Sequence, residues 1–334
     1  MRHVCFCLAM ILAVLCFSAP AVHAETEMPE ITYGVPLEIN TEYQKHLYPY
    51  VVHGKAANWY LAKADIDEFG LEAMCEGLSG TMEALEADYA DARDALSGYL
   101  AEEIPVIRIC TDFCDHAAIS REAGAYFNGR SNFIKVFHSW TMAKAALLHE
   151  YVHYLTFPCA NTSIRFGFWA EGIAEYVSVF VCRNRMFRLA SMEIPEEVRT
   201  EMQAAGVLDP VDGTADEILT YLVTAQLYLR GDAVGTSYYA VANETIERTE
   251  AIQQNPEPNQ LSYFEAASMV AYLVETYGED TVFSHWDSDP ADFETIFGLG
   301  FPELYQAWAA WNTRQCEAAG IDIENLPSSP IPAS

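Results

Sequence analysis

The sequence predicts an α+β fold, with a small sheet lobe, a mostly helical lobe after it, and a cleft between the two. Three observations predict it. The runs Ile104-Pro105-Val106-Ile107-Arg108-Ile109-Cys110 and Phe133-Ile134-Lys135-Val136-Phe137 are β-branched or alternating and read as strands. Apolar positions recur at helical spacing through Leu71, Met74, Leu78, Met82, Leu85, Tyr89 and Leu96. The chain beyond residue 182 is mostly helical in pattern, with helices expected at about 195–206, 214–230, 236–253, 262–277 and 301–316.

Taken in order, residues 1–24 read as a signal peptide. Arg2 and His3 precede an apolar run from Val4 to Phe17, Pro20 breaks it, and Val22-His23-Ala24 offers a cleavage site before Glu25. The run is short for a membrane span. The mature chain is therefore expected to be exported, periplasmic or extracellular, with no membrane attachment after cleavage. Leu15 before Cys16 is too large for lipoprotein processing. Residues 25–50 look extended, punctuated by Pro29, Pro36 and Pro49. Residues 65–100 follow as helix, with Gly77-Leu78-Ser79-Gly80 as an expected interruption, so 25–102 forms a mostly helical N-terminal segment. Residues 103–182 hold the two strands, the turn Asn128-Gly129-Arg130-Ser131-Asn132 and helices at 141–156 and 168–182. Phe157-Pro158 ends the first of these helices. Residues 183–320 form the helical lobe, with a turn at Asn255-Pro256-Glu257-Pro258-Asn259, and 321–334 are a loose tail.

Half of the residues are hydrophobic (51%) and 13% are aromatic, a globular composition and not a disordered one. The formal charge is -30. The signal peptide holds one arginine and no acid, so the mature chain is near -31, one positive charge fewer. Such a surface repels nucleic acid and anionic membranes, and neither is expected as a partner. Six cysteines remain after the leader: Cys75, Cys110, Cys114, Cys159, Cys182 and Cys316. In an exported chain they predict up to three disulfides among fifteen possible pairings. Cys159 and Cys182 bracket one helix and form one such candidate. Cys110 and Cys114, with His116 nearby, could hold a metal, but in an oxidising compartment disulfides are the better expectation. Asn161-Thr162-Ser163 and Asn243-Glu244-Thr245 are glycosylation sequons.

The chemistry concentrates at His149-Glu150-Tyr151-Val152-His153, an H-E-x-x-H pattern. Two histidines four apart on a helix project from one face and reach one metal ion. The glutamate between them points at another angle, which suits a base beside a water and not a ligand. Ala145 to Leu148 and Tyr151 to Leu155 make the surrounding helix apolar, so Glu150 needs a reason to be there. Downstream, Phe168-Trp169-Ala170-Glu171-Gly172-Ile173-Ala174-Glu175-Tyr176 sets Glu171 and Glu175 on one helical face, with seventeen residues between His153 and Glu171. A His149/His153/Glu171 set leaves the fourth position of a tetrahedral Zn²⁺ open, the mark of a catalytic site. Glu175 is placed to orient a ligand imidazole.

H-E-x-x-H followed by W-x-E-G-x-A-E-Y resembles the gluzincin metallopeptidases, the group of thermolysin and aminopeptidase N with a peptidase MA-like domain. The resemblance implies a two-lobed zincin fold with the H-E-x-x-H helix on the sheet lobe. It also implies Glu171 as third zinc ligand and Glu175 behind the ligands. Ser262-Tyr263-Phe264-Glu265-Ala266-Ala267-Ser268 is similar to the aminopeptidase segment whose tyrosine stabilises the tetrahedral intermediate, which implies that role for Tyr263. Tyr238 and Tyr239 are alternatives for it, and Tyr263 packing on its own helix is another reading. By the same resemblance, residues 133–138 are the edge strand that pairs with a peptide backbone. Two features depart from the family. No G-x-M-E-N segment is present, so exopeptidase action does not follow, and Ala170 stands where aminopeptidases often carry Asn. The implied function is that of an exported zinc metallopeptidase acting on a peptide or protein substrate, with Glu150 as general base. Two alternatives stand beside it: an exported binding protein with a relic or structural metal site, and a zinc hydrolase of non-peptide amides.

Overall fold

Along Phe133–Val136 burial alternates: Ile134 and Val136 are buried, Phe133 and Lys135 half-exposed. That period of two marks a strand with one face on a core. The computed structural model describes residues 36–100, 104–114, 124–157, 167–182, 260–288 and 290–322. The signal peptide, both sequons, Cys159, His116, Tyr238, Tyr239, the turn at 255–259 and the helices expected between 195 and 253 lie outside the described residues.

Among the described residues, six strands form one mixed sheet: β1 (Leu37–Ile39), β2 (Tyr50–His53), β3 (Ala57–Leu61), β4 (Ile107–Thr111), β5 (Ala125–Asn128) and β6 (Phe133–Val136). Their spatial order is β1-β2-β3-β4-β6-β5. β1, β2 and β3 run antiparallel to one another; β4 lies parallel to both β3 and β6, and β5 returns antiparallel to β6. Parallel pairing of β3 with β4 needs a crossover, supplied by helices α1 (Lys63–Phe69) and α2 (Leu71–Leu96). The N-terminal segment 25–102 thus contributes three strands of the same sheet as well as its helices.

Two expectations need correction. Helix α2 runs unbroken through Gly77 and Gly80, and the break falls at Gly70, whose φ of 87° only glycine adopts readily. Gly77 serves close approach instead, because a methyl group there would overlap the Trp140 ring. Residues 133–136 do form a strand, but β6 is internal. The 128–132 turn closes a hairpin whose other arm, β5, is the edge of the sheet among the described residues.

Helix α3 (Trp140–Thr156) packs across the sheet and α2. After it come α4 (Gly167–Glu175) and a π-helical segment, Tyr176–Val181. Then follow α5 (Gln260–Tyr277), α6 (Glu279–Phe283), a short 3₁₀ turn (Pro290–Asp292), α7 (Phe293–Phe297) and α8 (Phe301–Ala318). The described architecture is therefore mixed α/β. One continuous apolar core joins Trp59, Ile109 and Ile134 of the sheet to Leu147 and Tyr151 of α3, Ile173 of α4, and Val270 and Trp308 of α5 and α8. The other sheet face carries a smaller cluster of Tyr48, Val51, Tyr60 and Cys110, with the Arg108 guanidinium 4.6 Å from the Tyr43 ring. Cys75, Cys110, Cys114, Cys182 and Cys316 are free thiols, and burial pushes Cys182 up to about 12. No bridge joins any of these five, and Cys159 lies outside the described residues. No helix among the described residues is long and apolar enough to cross a membrane.

Candidate metal centre

The polar residues of α3 are set into an apolar rod. Leu147, Leu148, Tyr151, Val152, Tyr154 and Leu155 are all buried. Tyr151 stacks on Tyr89 of α2 at 4.2 Å and accepts a hydrogen bond from Arg93, while Tyr154 donates to the Pro105 carbonyl. These contacts fix the rotation of α3 about its axis and so fix where its one polar face points. On that face the His149 and His153 rings lie 4.6 Å apart, edge to face.

Helix α4 brings Glu171 to the same place. Its Oε2 sits 2.8 Å from His149 Nε2 and 3.1 Å from His153 Nε2. The three ligand atoms lie within 4.8 Å of one another, and no other such group of three occurs among the described residues. Two close approaches hold α4 here. Trp169 is buried against Phe293 and Phe297 and donates to the His285 carbonyl at 3.2 Å. Gly172 lies on α5, where an added Cβ would come 2.9 Å from the Ala266 carbonyl oxygen. The glycine after Glu171 is thus what lets the ligand helix lie against α5.

Behind His149, Glu175 Oε1 lies 3.0 Å from Nδ1, and both side chains are almost fully buried. A metal held by Nε2 would need the His149 proton on Nδ1, beside Glu175. The 2.8 Å contact between Nε2 and Glu171 is met by an N–H donor on Nε2 or by a cation shared between the two. Burial alone would push the Glu171 carboxyl up; the two imidazoles more than offset it and hold it well below the usual carboxylate range. Two nitrogens and one carboxylate oxygen converging from two helices are a donor set that fits Zn²⁺ with a position left over.

Glu150 stands apart from this cluster. Its Oε2 accepts a hydrogen bond from the Phe127 backbone N–H of β5 at 2.7 Å. The carboxylate is therefore tethered to the sheet edge by one oxygen. No sequence pattern signals this partner, because the donor is main chain. Tyr263 falls in the first turn of α5, and its side chain lies outside what is described. The structure brings together His149, His153, Glu171 and Glu175, and it holds Glu150, on the same helix as the histidines, against the Phe127 N–H. No family model, no curated protein and no solved structure matches the chain.

Proposed function

We propose that this chain is an exported zinc metallopeptidase of gluzincin type, built as two lobes, that hydrolyses peptide bonds. The observation that supports it most is the meeting of two imidazole Nε2 atoms on one Glu171 oxygen, at 2.8 and 3.1 Å, with Glu150 on the same helix. Zinc bound by His149, His153 and Glu171 would acidify a water and polarise the scissile carbonyl. Glu150 takes the proton of the attacking water and returns it to the leaving amine. Glu175 orients His149 through Nδ1. Tyr263, assigned by resemblance alone, donates to the developing oxyanion. β5 offers a sheet edge for an extended substrate.

The test is metal content and cleavage of a mixed peptide library by the mature protein, beside Glu150→Gln. About one zinc per chain is expected in both proteins, with turnover falling at least ~10²-fold in the variant. Zinc without cleavage in either would favour a binding protein or a non-peptide amide as substrate. Absence of zinc from both would remove the reading, and undiminished turnover in the variant would remove Glu150 from its role.

A further inference from the structure

An edge strand has two kinds of residue. Along β5, the residues whose main-chain groups face β6 are the even ones: the Gly124 carbonyl, just before the strand, accepts from Phe137 N–H at 3.0 Å. The odd residues, Ala125 and Phe127, turn their N–H and C=O groups away from the sheet. Among the described residues no strand pairs with that side of β5. An extended peptide that added to this edge would place one carbonyl on each outward N–H. One of those two donors is already taken, since Phe127 N–H donates to Glu150 Oε2 at 2.7 Å.

We propose that Glu150 latches the docking edge: its carboxylate and the substrate's main-chain carbonyl compete for the single N–H of Phe127. In the empty cleft the base is held against β5. A peptide that pairs with β5 at residue 127 displaces Oε2, and only then is the whole carboxylate free to serve the attacking water. Substrate docking and release of the base become one event. Peptides that cannot present a carbonyl at this register leave the base tethered. The recognised substrate class is therefore extended main chain, with side chains secondary. Phe127 supports this by its placement: its ring packs on Tyr154 and Phe157, which anchors the strand to α3 beside Glu150.

The latch rests on Glu150 being the base of a peptidase, and the following experiment separates the two ideas. Glu150→Gln and Glu150→Ala are both uncharged and both expected to be inactive, but only Gln keeps an acceptor oxygen. Each is titrated, as the zinc-loaded mature protein, with a blocked, uncharged hexapeptide library, and Kd is read by calorimetry. Glu150→Ala is expected to bind roughly two- to tenfold more tightly than Glu150→Gln, the worth of one main-chain hydrogen bond. Adding Phe127→Pro, which removes the N–H on an edge where proline is tolerated, should close that gap, with Phe127→Ala as the control for the lost ring. Selective [¹⁵N]Phe labelling gives a readout that needs no second variant. The Phe127 amide resonance should shift on Glu150→Ala, and shift again as peptide is added. Equal affinities in the two Glu150 variants, or a Phe127 resonance that peptide does not move, would overturn the latch. If wild type cleaves peptides and the gap is absent, the latch fails and the peptidase stands. If the gap appears while wild type cleaves nothing, the docking edge stands and the catalytic reading fails.

Discussion

In the proposed centre, Glu175 would hold the His149 proton on Nδ1 and leave Nε2 for the metal. Its oxygen lies 3.0 Å from Nδ1, and its side chain is almost fully buried. An amide in its place, Glu175→Gln, keeps the shape and removes the charge beside Nδ1. Zinc affinity is expected to fall about 10–100-fold, as for other groups that orient a metal-bound imidazole, while far-UV circular dichroism stays unchanged. Competition against a chromophoric chelator measures this, and unchanged affinity would show that the contact does not set the tautomer. His149 with His153, and Glu171 with Glu175, were legible as pairs because a step of four on a helix puts both side chains on one face. That the two pairs meet, with Glu150 between the histidines, was an expectation from the motif and its resemblance and not from spacing alone. The tether from Phe127 to Glu150 was illegible because every residue but proline carries the same N–H, and only pairing direction decides where it points.

At the scale of elements, glycines separate close approach from chain breaking. Gly80 on α2 has only Lys144 Nζ near its missing Cβ, at 3.6 Å. Gly80→Ala should therefore stabilise the protein by ~0.5–1 kcal/mol through helix preference. Gly172 on α4 is the opposite case. A Cβ there would meet α5 backbone at 2.9 Å, and backbone does not swing aside. Gly172→Ala should cost ~1–3 kcal/mol, because overpacking outweighs the helix-propensity gain of about 1 kcal/mol. It should also weaken zinc binding by pushing Glu171 away from the two imidazoles. Thermal unfolding and metal titration of both variants test the pair; if Gly172→Ala is as stable as wild type and binds zinc as well, α4 and α5 are not in the contact described. In the sequence both glycines read alike, since partner helices far along the chain decide their roles. The same limit hid β5. Tyr126, exposed on the outer face, and the short Ala125–Asn128 run carry a weak strand signal, and hairpin closure by the following turn makes them the edge. The change from α to π winding after Glu175, seen in the Cys182 N–H donating to Val177 five residues back, leaves the apolar pattern unaltered and so gave no warning.

Across the whole molecule, the proposed ligands tie α3 to α4, two helices that belong to the one core described here. Metal bound between them is a cross-link present only in the folded state, so its affinity adds to stability. Free zinc at about 1,000 times Kd is worth ~4 kcal/mol. For a chain of this size that corresponds to a rise in Tm of roughly 6 °C. A chelator should reverse it, and Glu150→Gln should show the same chelator response as wild type, since it keeps all three ligands. His153→Ala should show almost none. The acidic surface supplies a competing explanation. At a net charge of -30 any divalent cation relieves self-repulsion and raises Tm without a specific site. Magnesium resolves the two. It carries the same charge, but it is a hard cation that prefers oxygen ligands and keeps its waters, so a site with two imidazoles serves it poorly. Recovery of Tm by micromolar zinc and not by the same concentration of magnesium would place the effect at His149, His153 and Glu171. Equal recovery by both ions would place it on the charged surface, and the cross-link between α3 and α4 would have no thermodynamic weight.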